Sequence, residues 1–219
     1  MSTTRFTATT PGPTWAYLYI PDGTITVTAD PALPHAVVTV STPDDHGPLA
    51  DAVTNTEFTE TPHAAGIPSF TLDIPEPKNA RTTGNLTVDV RLPGTTSSIR
   101  LASNSADLHT HGPLHAVSFV SNSGSLRAET AYTLVAVTET GTIEAERIDQ
   151  SFDAVATSGT VTVGAHNGNF CRVHSVSGDV SVTATPAASG QIEISTGGTI
   201  TTRGTDHLSE RSTALQPSS

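Results

Sequence analysis

His109 and His111 are the first residues to ask for chemistry. They form His-x-His inside a run that reads as a strand, so both imidazoles leave the same face. When the repeats described below are stacked in columns, that face points outward. Glu129 then falls beside His111 with Glu146 next to it, and Arg127 and Glu144 fall beside His109. Two imidazoles and a carboxylate form a zinc donor set, which makes His109, His111 and Glu129 the metal candidates. A solvated ladder of cross-strand charges explains the same residues and is the stronger reading, because Arg127 sits against the pair. No cofactor is expected.

A Ser/His/Asp grouping can be drawn from Ser177, His174 and Asp179. A nucleophilic serine needs a base within hydrogen-bond reach and an oxyanion hole. Ser177 is instead one member of a repeated column whose copies at Ser105, Ser123 and Ser158 have no histidine equivalent. Asp44, Asp45, His46 and Asp51 cluster in a loop without the spacing of a calcium-binding loop. Cys171 falls in an inward apolar column and reads as an inert thiol. The sequence therefore names no catalytic residue.

The elements that place these groups come from a repeat. Six segments centre on Ala106, Gly124, Gly141, Gly159, Gly178 and Gly198, with separations of 18, 17, 18, 19 and 20. A period near 18, with a β-rich run on each side of a small residue, is a solenoid signature. Two positions after the centre come Leu108, Leu126, Ile143, Val161, Val180 and Ile200. Seven and five positions before it come inward columns that include Val117, Leu134 and Phe152, then Phe119, Ala136 and Ala154. The residues one before the centre, Ser105, Ser123, Thr140, Ser158 and Ser177, are expected to form an inward hydroxyl ladder. The last coil fits only if it carries a one-residue bulge at Gly197-Gly198, with Ile192 in the column of Val173. Gly84 and the run after it are expected to start an earlier coil.

The chain has 219 residues, among them 38 Thr and 22 Ser, and only 5% are aromatic. β-Branched threonine suits strands, and a narrow coil has little room for large rings. The expected fold is all-β: a right-handed β-solenoid of about six or seven coils over residues 81–204, with a small N-terminal β segment over 11–80. Strands are expected at 15–20, 24–28, 36–40 and 70–74, with a helical turn around 49–53. Residues 1–10 are expected to be a flexible N-terminus and 205–219 a polar tail that caps or frays over the last coil.

Net charge is −11 with a single lysine, Lys78, which excludes a basic nucleic-acid-binding surface and a polybasic membrane anchor. No apolar run is long enough for a membrane-inserted helix, and no secretory signal is visible. A cytoplasmic location is the simplest expectation, with a particle-borne or surface location also open. One cysteine excludes an internal disulfide.

At the repeat columns the chain resembles the DUF4097-type putative adhesin family, bacterial proteins with repeated S-x-S-G-x-V-x-V coils. The resemblance rests on HSVSGDVSVTA (174–184), ATSGTVTVGA (156–165) and TETGTIEAE (138–146), and on PDGTITVTADPALPHAVVTV (21–40) as an opening hairpin. It spans roughly residues 14–204. It implies a β-solenoid without an assigned activity, loosely called adhesin-like. Ala106 and Asp107 depart from the usual glycine turn, and the family's signal or anchor is not seen.

One outward column is apolar: Ala102, Val120, Val137 and Val155, then His174. Val120, Val137 and Val155 are the candidate binding stripe. The stripe is either covered by the N-terminal segment, with its Trp15, Tyr17 and Tyr19, or left as a dimer or partner interface; cover is the favoured expectation. The functional expectation is a non-catalytic scaffold, adhesion or interaction module with a protein or glycan partner and a possible homo-oligomeric state. The alternative is a carbohydrate-active parallel β-helix enzyme, an analogy from fold alone. Arg100 and Arg172 face outward without a carboxylate cluster around them, which weakens it. A third reading is polymerisation through the solenoid ends.

Overall fold

Period-two alternation of Val, Ile, Leu and Ala with Thr, Ser and charged residues builds a strand with one dry and one wet face. In this chain nearly every strand does so. The computed structural model describes residues 1–62, 66–77 and 86–214. Lys78, Gly84 and residues 215–219 lie outside the described residues, as does part of the 75–84 linker.

The fold is all-β, with parallel coils stacked into a solenoid of about six turns. The coils run from β8 (Ser98–Ser103) through the bent strands β9 (Asp107–Ser121), β10 (Leu126–Thr138) and β11 (Ile143–Ala156). They continue through β12 (Val161–His166), β13 (Phe170–Ser175), β14 (Val180–Ala184), β15 (Gln191–Thr196) and β16 (Ile200–Arg203). Each coil contributes one strand to each of two parallel ladders. In the first, β8 pairs with the second half of β9, then β10, β11, β13 and β15 follow in register. In the second, the first half of β9 is followed by β10, β11, β12, β14 and β16. The predicted inward columns line the interior: Phe119, Phe152, Leu134, Leu126 and Ile143 are all buried.

The N-terminal segment continues this stack. β2 (Trp15–Tyr19) pairs in parallel with β8, and β3 (Thr24–Asp30) pairs in parallel with β9. On their other sides they pair with β6 (Pro68–Asp73) and β7 (Thr87–Pro93). The first coil of the chain is thus inserted between the second coil and the rest. The intervening residues fold over the end. β4 (Val37–Thr42) lies antiparallel to β7, β1 (Ser2–Thr7) antiparallel to β4, and β5 (Glu57–Pro62) antiparallel to β6. The short helix α1 (Pro48–Thr54) buries Leu49, Ala50, Ala52 and Val53. Phe6 on β1 stacks on Phe58 of β5 at 5.1 Å, and Phe58 meets Phe70 at 5.0 Å, so rings plug this end.

The N-terminal expectation changes, and of the two C-terminal alternatives the described residues take the cap. Residues 1–10 do not fray as a unit: Ser2–Thr7 forms β1, held because it pairs with β4 and brings Phe6 to the ring stack. At the other end Ser209–Ala214 forms β17, an exposed edge strand parallel to β15. Polar, charged residues such as Glu210 and Arg211 suit such an edge.

The hydroxyl ladder is also displaced. Ser123, Thr140 and Ser177 are exposed, and Ser105 and Ser158 are half-buried. The buried hydroxyls sit two positions earlier, at Ser121, Thr138, Ser175 and Thr196. A corner intervenes, so period two cannot be carried through it. Each buried hydroxyl accepts the amide of its corner glycine: Gly124 to Ser121 at 2.9 Å, Gly141 to Thr138 at 3.0 Å and Gly178 to Ser175 at 2.9 Å. The outer serines instead reach along the stack, as when Ser177 donates to the Thr157 carbonyl at 3.2 Å. Ala156 offers no hydroxyl, and at that corner Gly159 takes φ +123°, which favours glycine. In the last coil the corner is one residue shorter, and Gly198 donates to Thr196 at 3.0 Å. This moves Ile192 into the column of Cys171 and puts Ile194 in the column of Val173.

Candidate functional site

The zinc candidates occupy the outer face of the second ladder. His109 and Arg127 are register partners, and Arg127 pairs in turn with Glu144. His111 Nδ1 lies 3.7 Å from Glu129 Oε2, which also accepts the Gly112 amide at 3.1 Å. Arg127 takes the other carboxylates, at 3.9 Å from Glu144 and 3.6 Å from Glu146. A guanidinium therefore stands where a cation would need a donor. Among the described residues, no group of three or more His, Cys, Asp and Glu side chains is placed to hold a metal ion.

The other chemical candidates are engaged in the stack. Asp179 accepts the Thr199 amide at 2.8 Å, and Ser177 is spent on Thr157. His46 lies 3.9 Å from Asp45, with both side chains in solvent. Cys171 is buried, and burial, assisted by the negative charge of Asp153, pushes its thiol up to about 12. Arg172 is bound to Asp153, with Nε to Oδ1 at 3.1 Å, and lies over the Phe170 ring.

The interior also holds an imidazole. His166 is fully buried, and neither ring nitrogen has a hydrogen-bond partner. Its register partners are Ile148 and Ala184, so it fills an inward position of an apolar column. Burial holds the ring below the ordinary histidine value, which keeps it neutral. Alternation from Val161 and Val163 leads to Ala165 and would turn His166 outward; the ladder shifts register between Val163 and His166, and that irregularity brings the ring inside.

The valine stripe is the feature that remains. Val120, Val137 and Val155 are register neighbours on three successive coils of the first ladder. Ala102 precedes them and His174 follows, so the column keeps its predicted order. The expected cover is absent: Val120, Val137 and Val155 are 39–40% exposed. The reason is topological. Tyr19 pairs with Ala102 and extends the same column by one coil, so the N-terminal strand lies beside the stripe and not over it. A parallel column runs next to it through Arg100, Ser118, Val135, Asp153, Arg172 and Glu193. Val135 is 40% exposed there. Together they form a ruled sheet face with a centre of valine and a polar border. It can bind by apolar contact and has no convergent acid, base or nucleophile of its own.

No family model matches the sequence, and no curated protein sequence matches it. Among solved structures, the fold is similar to a putative adhesin from Bacteroides fragilis, with a TM-score of 0.53 at 12% identity over 92% of this chain and 97% of that one. It is similar also to a putative cell adhesion protein from Clostridium sporogenes, with a TM-score of 0.53 at 6% identity over 84% of this chain and 100% of that one. At these identities the likeness is one of fold: the chain shares the stacked β-coil architecture of these bacterial proteins.

Proposed function

We propose that this protein is a non-catalytic, adhesion-type binding module that presents the valine-centred sheet face to a protein or glycan partner. The observation that carries the reading is the exposure of Val120, Val137 and Val155 on one flat face. The polar candidates support it from the other side. Ser177 and Asp179 are committed to bonds between coils, and Arg127 is paired with Glu144 and Glu146. The similarity of fold to a putative adhesin and a putative cell adhesion protein, and the DUF4097-type repeat, support the same class. Among the described residues no helix is long and apolar enough to cross a membrane. We infer a cytoplasmic location, with a particle-borne or surface location as the alternative, and cell fractionation with immunoblotting tests it.

The experiment for function is binding of the labelled protein to immobilised glycans and to bacterial cells, with reducing-sugar release followed in the same wells. Saturable binding without release is the expected result. Release of reducing ends from a polysaccharide would replace this reading with the β-helix enzyme.

A further inference from the structure

We propose that the valine-centred face mates with the same face of a second copy, in a two-fold dimer centred on Val137. This rests on reading the face as a binding surface, and it names the occupant.

The valines of the face are placed symmetrically about Val137. Along the column, Val120 and Val155 sit one coil to either side of it, and Ala102 and His174 sit two coils to either side. A two-fold axis lying in the interface along the strand direction reverses the order of coils while keeping each column over itself. Val137 then meets Val137, and Val120 meets Val155 of the second copy. In the neighbouring column Val135 meets itself. The isologous contact of a cyclic dimer requires this self-complementarity.

The charges agree with the same operation. Arg100 has no ion pair among the described residues. The two-fold places it at the level of Arg172, whose guanidinium is already held by Asp153. The neighbouring coils on either side of that level carry Asp153 and Glu193. Each end of the valine centre thus sets Arg100 opposite Arg172 of the second copy, with Asp153 and Glu193 of that copy flanking the two guanidiniums. The face is close to neutral on a chain of net charge −11, so the contact brings no excess of like charge into the interface.

The area is sufficient. Seven coils from Tyr19 to Ser195 at about 4.8 Å, crossed by strands about 17 Å long, give roughly 500 Å² per copy and about 1,000 Å² in total. That lies at the lower limit of specific interfaces, as a reversible dimer requires.

Sedimentation equilibrium of the full chain over roughly 1–200 µM reads the association directly. The wild type should pass from monomer to dimer mass. Val137→Arg puts two like charges on the axis and should raise the dissociation constant at least about tenfold, with an unchanged circular dichroism spectrum because the position is exposed. The register is tested by mixing. Val120→Lys and Val155→Glu should each dissociate alone, and an equimolar mixture should recover dimer because the new ammonium meets the new carboxylate. A mixture of Val120→Lys with Val120→Glu should not recover, since position 120 faces position 155. A monomeric wild type, a dimer that survives Val137→Arg, or equal recovery in both mixtures overturns the proposal. The glycan and cell assay is a separate readout. Binding by a monomeric wild type overturns the dimer and leaves the binding-module reading in place, whereas dimerisation without any glycan or cell binding does the reverse.

Discussion

The Thr138 hydroxyl oxygen accepts the Gly141 amide at 3.0 Å and so closes a buried corner of the coil. The same hydroxyl donates to the Gly124 carbonyl at 3.3 Å, which ties the corner to the coil before it. Valine has the same shape and no hydroxyl, so Thr138→Val strands a buried amide. The expected loss is about 1–3 kcal/mol in urea unfolding, with Thr138→Ser close to wild type.

Gly141 is a stronger constraint than the hydrogen bond it makes. A Cβ there would stand 1.8 Å from the Gly124 carbonyl oxygen, which is backbone and cannot turn aside. Gly141→Ala should therefore force the two coils apart and cost roughly 3 kcal/mol or more, at the upper end of overpacking effects. Ser123→Ala, one coil away and exposed, serves as the control and should stay within about 0.5 kcal/mol of wild type. Equal denaturant midpoints for the two variants would refute the steric account.

The inward columns and the valine stripe were legible in the sequence because a parallel stack in register turns spacing into position. Val120, Val137 and Val155 needed only the distances between glycines. The hydroxyl ladder was not legible, because the corner between Thr138 and Gly141 interrupts alternation and shifts the buried position by two. Ile192 was misplaced for a related reason: Thr196 reaches Gly198 across two residues where Ser175 reaches Gly178 across three. Nothing local announced that Trp15–Tyr19 would sit between Pro68–Asp73 and Ser98–Ser103, since that order depends on contacts between distant segments. β1 was missed because Ser2–Thr7 is polar and gains its place from Phe6 and the β4 edge. At the candidate site, spacing sets Arg127 beside His109 and Glu144, and what it could not supply was the reach of the guanidinium to Glu146 as well.

Cys171 gives a direct reading of whether the coils open. Its thiol is buried and its pKa is pushed up to about 12, so little thiolate forms and little reagent can reach it. In native protein at neutral pH, a chromogenic disulfide reagent should leave it unmodified. In denaturant one thiol per chain should react. Rapid labelling without denaturant would mean that the stack around Phe152 and Ile192 opens far more readily than its burial implies.

His166 should make stability depend on pH in a window of its own. Burial depresses the folded-state pKa below the ordinary histidine value of 6.5, so the unfolded chain binds the proton more readily. The neutral ring's contribution is complete above pH 6.5 and is lost as the pH falls from there toward the folded pKa. Over that range the loss approaches about 1.4 kcal/mol per pH unit as its limit. Asp30 acts lower: the Ala32 amide, and then Arg91, hold its carboxyl below the usual range, so its contribution disappears only in stronger acid. Melting temperatures of wild type and His166→Leu between pH 7.5 and about 5 separate the two effects. Leucine suits the column between Ile148 and Ala184 and removes two nitrogens that have no partner. The variant should therefore match or exceed the wild type at neutral pH and lose the decline below pH 6.5. If the decline persists unchanged in His166→Leu, the titrating group lies elsewhere.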